Sequence, residues 1–236
     1  MNDTRLSLVT GASKGIGRAA ALALAERGDT VIAVARSQKA LETLDDEISE
    51  KGGKTVLVPM DVKDTKGIDA LGGILNERFG RLDALLANAG ILGTLGPLQT
   101  VRPRSFEETI EVNLTANWRL IRSLDPLLRK GHDPRAVFVT SGVVPRPRAF
   151  WGPYQASKAG LEALVAAWAD ENEKSPLRIN LFDPGATATT MRADAMPGED
   201  PSTLPQPHEV AVEMVALTAA SETRHGARIV YGHQNS

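Results

Sequence analysis

The chain has 236 residues, of which 42% are hydrophobic and 24% charged, a composition typical of a soluble globular protein. Its 27 basic and 29 acidic residues leave a formal net charge of −2, which gives no reason to expect a nucleic-acid or anionic-membrane partner. Cysteine is absent, so disulfides, thiolate nucleophiles and cysteine-ligated zinc are excluded.

Short β-type runs alternate with longer helical patterns along the chain. The predicted strands are nearly continuous apolar stretches, at Leu6–Thr10, Thr30–Ala35, Lys54–Val58, Leu82–Ala87, Arg135–Thr140, Leu177–Phe182 and Ala227–Tyr231. Such runs are typical of strands that are buried on both faces of a parallel sheet. Helical patterns lie between them, at residues 15–27, 38–51, 64–79, 105–130, 152–174 and 207–220.

This alternation predicts an α/β protein with a three-layer Rossmann fold: a doubly wound, parallel, seven-stranded sheet with helices on both faces. No proline- or serine-rich linker interrupts the alternation, so we interpret residues 1–236 as a single domain. Residues 190–206 are rich in polar and helix-breaking residues, and they predict a loop or a short helix before the last long helix.

The N-terminal stretch and the apolar runs bear on location. The stretch MNDTRLSLVTGAS lacks the apolar core of a signal peptide. No uninterrupted apolar run approaches the roughly 20 residues that a membrane-spanning helix needs. We therefore expect a cytoplasmic protein with no membrane partner.

The first predicted strand runs directly into the segment TGASKGIG, at residues 10–17, and then into an alanine-rich helix. Glycine permits a close approach of backbone N–H groups to a phosphate, and a helix N-terminus favours an anion. The first strand-to-helix turn is also where a Rossmann fold holds a pyrophosphate. A tight turn alone would explain the glycines, but their placement favours nucleotide binding.

The end of the second predicted strand bears on the kind of dinucleotide. Folds that prefer NAD usually carry an acidic residue here, yet residues 33–40 contain neither Asp nor Glu. Arg36 has a planar fork and an obligatory charge suited to a 2′-phosphate, and Lys14 adds a second cation. Both could instead be solvated surface charges. We predict NADP(H) rather than NAD(H).

The segment WGPYQASKAG carries a phenol and an ammonium group four residues apart. Gly152 and Pro153 favour a helix start, which places Tyr154 and Lys158 on one helical face. A phenol has a pKa near 10, and a neighbouring cation, together with an oxidised nicotinamide, is expected to lower it toward the operating pH. Alone, the pair is a common pattern with little meaning.

The ordered set of motifs resembles the short-chain dehydrogenase/reductase family over nearly the whole chain. The glycines follow the pattern G-x-x-x-G-x-G, and after them come MDV, ANAG, EVN, TSG, YQASK and DPGATAT in that order. The segment that runs from WGPYQASK to PGATATTMRADAMPGEDP is similar to the YciK-like bacterial oxidoreductases.

The resemblance implies four catalytic residues. Tyr154 is expected to act as general acid and base, while Lys158 tunes Tyr154 and holds the nicotinamide ribose. Ser141, thirteen residues before Tyr154, is expected to polarise the substrate carbonyl, although turn formation would also explain a serine there. Asn113 is expected to bind a water linked to Lys158, although it could be only a polar residue on a buried helix face.

The resemblance also implies a cofactor site along the carboxyl ends of the strands. Asp61 is expected to bind the adenine amino group, with helix capping beside Asp64 as the alternative, and Thr187 is expected to lie against the nicotinamide carboxamide. Besides Tyr154 and Lys158, the expected cofactor-binding residues are Gly11, Ser13, Lys14, Gly15, Ile16, Gly17, Arg36, Ser37, Asp61, Val62, Asn88, Ala89, Gly90, Pro184, Gly185, Thr187 and Thr189.

Together the motifs predict an NADP(H)-dependent oxidoreductase that transfers hydride reversibly between nicotinamide and a carbonyl or secondary alcohol. A 3-oxoacyl-thioester reductase of fatty-acid type and a non-catalytic NADP-binding sensor stay open, because a fold does not decide function. Arg146 and Arg148 could meet an acidic substrate, although a solvated loop explains them as well.

The remaining expectations concern assembly and metals. A homodimer or homotetramer is expected through the helical regions 105–130 and 152–174, and residues 190–206 are expected to form a substrate lid. No metal site is expected, since the four histidines lack metal-ligand spacing (His132, His208, His225 and His233).

Overall fold

The apolar runs of the sequence form one parallel sheet in a computed structural model, which describes residues 4–233. The strands are β1 Leu6–Thr10, β2 Thr30–Ala35, β3 Lys54–Pro59, β4 Ala84–Ala87, β5 Arg135–Val139, β6 Arg178–Asp183 and β7 Arg228–Val230. They lie in the order β3-β2-β1-β4-β5-β6-β7, and each neighbouring pair is parallel. The strand order therefore reverses between β1 and β4.

Helices cover both faces of this sheet. They are α1 Gly15–Glu26, α2 Gln38–Glu50, α3 Thr65–Phe79, α4 Pro103–Ile110, α5 Ala116–Leu128, α6 Gly152–Glu171, α7 Thr190–Ala195 and α8 Pro207–Ala216. Leu8 packs on the face covered by α3, α5 and α6, whereas Val9 packs on the face covered by α1, α2 and α8. Because successive strand residues point to opposite, equally buried faces, the continuous apolar runs are explained. The predicted doubly wound, three-layer fold is confirmed.

The predicted helix over residues 105–130 is observed over residues 103–128, but it contains one irregular turn. A π-helical turn, Glu111–Thr115, separates α4 from α5. This wider turn carries Asn113, whose side chain is hydrogen-bonded to the backbone of Ile91 outside the helix. Single π turns inside helices frequently occur at functional sites, so the irregularity directs attention to Asn113.

Other differences from the predicted elements are smaller. β3 is an edge strand with half-buried residues, because β2 is its sole neighbour in the sheet of residues 4–233. The segment 190–206 contains α7 and a 3-10 turn at Pro201–Thr203. Across residues 4–233, none of the helices is both long enough and apolar enough to cross a membrane.

Candidate active site

One cavity of about 270 Å³ lies at the carboxyl ends of the central strands. It extends across the point between β1 and β4 where the strand order reverses. Open α/β sheets bind their ligands at such a switch point, because the loops on either side diverge there. The fold alone therefore makes this cavity the candidate functional site.

The turn after β1 closes tightly on the loop after β4. The Asn88 side-chain amide donates to the Thr10 carbonyl over 3.1 Å, and the Thr10 hydroxyl accepts from the backbone N–H of Ala89 over 3.0 Å. A Cβ on Gly17 would overlap both the Asn88 side-chain nitrogen and the Gly11 carbonyl. Glycine is therefore required at position 17 by close packing between the two loops.

The same turn leads into the N-terminus of α1. The N-cap residue, Lys14, supplies no side-chain hydrogen bond to the helix within residues 4–233, and the first turn carries no acidic residue. The first N–H groups of a helix otherwise lack partners and carry partial positive charge. Ser13, Gly15 and Ile16 line the cavity here. This end of the cavity fits an anion such as a pyrophosphate.

Two exposed cations stand at the same end. Lys14 and Arg36 both line the cavity, and among the described residues neither side chain forms an ion pair. Ser37, the residue after Arg36, caps α2 by accepting from the Ala40 N–H over 3.3 Å. The position of Arg36 at the mouth of the cavity is thus held by the start of α2.

Asp61 and Asp64 have different positions relative to α3 and the cavity, which the sequence alone does not distinguish. Asp64 caps α3 by accepting a hydrogen bond from the Gly67 N–H over 3.0 Å. Asp61 accepts from the Lys63 N–H over 3.0 Å and, with Val62, lines the cavity. Helix capping is therefore performed by Asp64, which leaves the Asp61 carboxylate at the cavity wall.

The opposite end of the cavity brings Ser141, Tyr154 and Lys158 together. Ser141 follows β5, whereas Tyr154 and Lys158 lie in the first two turns of α6. The Lys158 ammonium donates to the Val139 carbonyl over 2.8 Å and lies 5.9 Å from the centre of the Tyr154 ring. Tyr154 is 8% exposed and Lys158 3%. A buried phenol, a buried ammonium group and a half-buried hydroxyl thus line the same end of the cavity.

Burial acts on both titratable groups of this pocket. It raises the pKa of Tyr154 to about 12, with the Asp183 carboxylate adding to the rise and a hydrogen bond with Ser141 opposing it. Burial also lowers the pKa of Lys158 to about 8. Burial is thus the largest influence on the Tyr154 phenol, and the lowering of its pKa expected from Lys158 together with an oxidised nicotinamide stays a prediction. At neutral pH the phenol therefore holds its proton.

Asn113 lies behind the pocket. Its side-chain amide donates to the Ile91 carbonyl over 2.8 Å and to the Ser157 hydroxyl over 3.0 Å, and its side-chain oxygen accepts from the Ile91 N–H over 2.8 Å. A Cβ on Gly90 would lie 3.2 Å from that oxygen and 3.6 Å from the Lys158 ammonium. Asn113 thus ties the loop after β4 to α6 beside Lys158.

The segment after β6 forms the wall that faces Tyr154. The Asp183 carboxylate accepts from the Gly185 N–H over 3.0 Å, and the Thr187 hydroxyl donates to the Pro184 carbonyl over 3.0 Å. Thr189 caps α7 by accepting from the Arg192 N–H over 3.2 Å. These short-range bonds give the turn a defined shape at the cavity.

A family model described as short chain dehydrogenase matches residues 5–200. The chain belongs to the short-chain dehydrogenase/reductase family. The uncharacterized oxidoreductase YciK of Escherichia coli strain K12 is 37% identical over 213 residues, which cover 89% of this chain and 84% of that protein. The resemblance to YciK-like oxidoreductases is thereby confirmed.

Two further relatives carry more specific names. A short-chain dehydrogenase from Escherichia coli CFT073, solved in complex with NADPH, superposes with a TM-score of 0.91 at 34% identity and covers 97% of both chains. The 3-oxoacyl-[acyl-carrier-protein] reductase FabG of Vibrio harveyi is 30% identical over 225 residues, which cover 92% of this chain and 91% of that protein.

The cavity gathers most of the site residues that the sequence predicts for this member of the family. Gly17, Ser37 and Asn113 are the exceptions, since they support the cavity wall from behind. Sequence reasoning missed other lining residues: Val34, Ala35, Met60, Ile91, Leu92, Val112, Val139, Thr140, Thr190, Arg192 and Ala195. Two of these residues are sequence neighbours of predicted site residues and could have been predicted on that ground: Met60 precedes Asp61, and Ile91 follows Gly90.

Trp151, just before α6, and Tyr154, in its first turn, line the substrate end of the cavity. The Arg148 guanidinium lies 5.5 Å from the centre of the Trp151 ring, and the Trp151 ring meets the Tyr154 ring edge-on, with centroids 5.9 Å apart. Across the cavity, Arg192 is paired with Glu199 at 2.5 Å. Arg146 and Arg148 are themselves exposed and neither lines the cavity, so the structure favours a solvated loop over contact with an acidic substrate.

Proposed function

We propose that this short-chain dehydrogenase/reductase is an NADP(H)-dependent enzyme that interconverts a carbonyl compound and a secondary alcohol. One observation carries the proposal: a single cavity joins two cations beside the N-terminus of α1, Lys14 and Arg36, to a group formed by the half-buried Ser141 and the buried Tyr154 and Lys158. An anion-binding end and a proton-donating end in one cavity suit a cofactor that is held by phosphates at one end and reacts at the other.

The residues present fit such a cofactor. The N-terminus of α1 would hold the pyrophosphate, Lys14 and Arg36 would hold a 2′-phosphate, and Asp61 would bind the adenine amino group. When bound, the nicotinamide supplies or accepts the hydride. The relative solved with NADPH, which superposes over nearly the whole chain, supports this choice of cofactor.

The group of Ser141, Tyr154 and Lys158 would carry out the proton chemistry. In carbonyl reduction, Tyr154 gives its proton to the substrate oxygen as the carbon is reduced, and the Ser141 hydroxyl donates a hydrogen bond to the same oxygen. The Lys158 ammonium donates one N–H to the Val139 carbonyl, so its other N–H groups would be available to the ribose hydroxyls. Its charge also favours the phenolate that proton transfer leaves behind. Asn113 would support the return of the proton from solvent.

The decisive variant is Tyr154→Phe, which removes one hydroxyl from a buried ring. We expect it to abolish NADPH oxidation across a panel of aldehydes and ketones, while NADPH binding measured by calorimetry stays within about threefold of the wild type. Turnover at a near-normal rate would contradict the mechanism. A wild-type protein that binds NADPH but reduces no carbonyl in the panel would favour the sensor.

A second candidate is a 3-oxoacyl-thioester reductase, which the similarity to FabG supports. The two candidates share the proton chemistry and differ in the group attached to the reacting carbonyl, which in a 3-oxoacyl substrate is a thioester-bearing chain that stays in the product. A comparison of acetoacetyl thioesters with simple ketones of the same length would separate them, since a thioester reductase should show a kcat/KM at least tenfold higher for the thioester.

We also propose that α6 contributes to a subunit interface. Its Ala156, Ala159, Ala163 and Ala167 are exposed, and small residues allow another helix to approach closely. Trp118 on α5 is 43% exposed, an unusual state for a large aromatic side chain. The lid role of residues 190–206 and a cytoplasmic location stay predictions.

A further inference from the structure

We propose that Arg228 is a positioning residue, which sets the backbone of Ser141 and the Pro184–Gly185 turn from the last strand of the sheet. The inference rests on the proposed function, because it assigns Arg228 a role in that reaction. Arg228 is the first residue of β7 and lies outside the motifs that the sequence analysis used.

The guanidinium of Arg228 spans three acceptors. Its Nη2 donates to the Asp183 carboxylate over 2.8 Å and to the Ser141 carbonyl over 3.2 Å, and its Nε donates to the Glu162 carboxylate over 3.0 Å. A planar fork with fixed donor directions holds several acceptors at once, which a flexible ammonium group cannot do. Arg228 thus connects β5, β6 and α6 at one point.

Each acceptor leads on to the reacting end of the cavity. Asp183 is almost completely buried, and its second oxygen accepts from the Gly185 N–H over 3.0 Å. Glu162 also accepts from the Thr140 hydroxyl over 2.6 Å, so the residue before Ser141 is held as well. The guanidinium therefore holds two segments in a fixed relative position. One carries Ser141, which is proposed to polarise the carbonyl, and the other is the Pro184–Gly185 turn, which is proposed to face the nicotinamide.

Steric fit agrees with this network. A Cβ on Gly142 would lie only 3.3 Å from the Asp183 carboxylate oxygen, tighter than an ordinary contact. The space beside Gly142 is thus taken by the carboxylate that Arg228 binds. The Asp183 charge also reaches Tyr154, whose pKa it helps to raise. A cation on Asp183 moderates that effect.

The test is a double-mutant cycle on kcat/KM for carbonyl reduction, with Ser141→Ala and Arg228→Met. If Arg228 acts through Ser141, Arg228→Met lowers kcat/KM about tenfold in the wild type but less than about threefold in the Ser141→Ala background, because contacting residues are non-additive. A merely structural role would lower activity by the same factor in both backgrounds. That additive outcome would overturn the proposal.

Two further variants complete the experiment. Arg228→Lys retains the charge without the planar guanidinium, so we expect its kcat/KM to lie between that of the wild type and that of Arg228→Met. This variant replaces Arg228→Met in the cycle if Arg228→Met does not fold. Arg178→Met is the matched control, since Arg178 begins the neighbouring strand β6 and, within residues 4–233, its side chain donates only to the nearby carbonyls of Ser175 and Leu177. It should leave kcat/KM unchanged.

The cycle also separates this inference from the proposed function. Absence of any turnover in the wild type would reject the proposed function itself. Turnover that is lost in Tyr154→Phe, combined with additive effects of Ser141→Ala and Arg228→Met, would reject the role of Arg228 alone.

Discussion

The Lys158 ammonium donates a hydrogen bond to the Val139 carbonyl over 2.8 Å, and both residues are buried. Val139 is the last residue of β5, two positions before Ser141. This bond ties the first turns of α6 to the strand that presents Ser141, so the hydroxyl, the phenol and the ammonium group are held by one local connection. It also places a charge where water is excluded.

The buried ammonium should make stability depend on pH. Its pKa is about 8 in the folded protein, against an ordinary lysine value of 10.5. The burial penalty is complete below pH 8, and between pH 8 and 10 the unfolded chain binds more protons, so stability rises with pH. Without added nucleotide, we expect the free energy of unfolding to rise by roughly 2–3 kcal/mol over that window relative to Lys158→Met.

Denaturant titrations of both proteins at several pH values measure this difference. The window stops at pH 10 because Tyr154 then begins to act with the opposite sign: its folded pKa is about 12, so stability is lost as the unfolded phenol ionises. A difference between wild type and variant that stays flat from pH 7 to 10 would show that the ammonium is not buried.

The Ser141 hydroxyl should act mainly on the chemical step. Loss of one donor to a developing oxyanion costs about 10²–10³ in kcat. We therefore expect Ser141→Ala to lower kcat for carbonyl reduction by that factor, with NADPH affinity nearly unchanged. Ser49→Ala, at an exposed position of α2 outside the cavity, serves as the control. A fall in NADPH affinity that matches the loss in kcat would point to a cofactor-binding role instead.

Cofactor preference should depend on Arg36. Replacement of its guanidinium by alanine removes a cation from the proposed 2′-phosphate end, and we expect Arg36→Ala to weaken NADPH binding by about tenfold or more while NADH binding changes little. Lys39→Ala removes an exposed charge from the nearby first turn of α2 and should change neither. Equal affinity of the wild type for the two cofactors would refute the preference. Titration of nicotinamide fluorescence measures both affinities.

Gly17 and Gly73 offer a matched pair of glycine substitutions. Both lie in helices, but a Cβ on Gly17 would overlap Asn88 and Gly11, whereas a Cβ on Gly73 would meet nothing within 4 Å. We expect Gly17→Ala to destabilise the protein by about 1–3 kcal/mol and to weaken NADPH binding. Gly73→Ala should stabilise it by about 1 kcal/mol, the difference in helix propensity. Equal effects on thermal unfolding would contradict the close packing of the two loops.

Assembly should respond to a charge on the exposed face of α6. Ala163→Glu places a carboxylate among the small residues proposed to meet a second helix, and a buried unpaired charge strongly disfavours association. We expect a dimer or tetramer for the wild type and a smaller mass for the variant in light scattering at micromolar concentration. A monomeric wild type would reject the interface, and Glu171→Ala, at the end of α6, controls for changes in surface charge.

Many residues of the candidate site can be predicted from the sequence, because their motifs follow the ends of predicted strands. Tyr154 and Lys158 are four residues apart on one helix, and Ser141 ends a predicted strand, so a parallel sheet alone suffices to bring them to one edge. The high pKa of Tyr154 in the folded chain depends instead on its surroundings in three dimensions. The charge beside it could be seen in the sequence, whereas the degree of burial could not.

The sequence by itself determined the strand and helix alternation, the parallel sheet, the family and the cavity-lining motifs, because these depend on periodicity and on short segments whose residues are close along the chain. Tertiary structure decided the π turn around Asn113, the division of roles between Asp61 and Asp64, and the contacts of Arg228. Arg228 meets residues 87 and 45 positions away. Such contacts follow from the register and order of strands, which bring distant side chains within hydrogen-bond reach and exclude water around them.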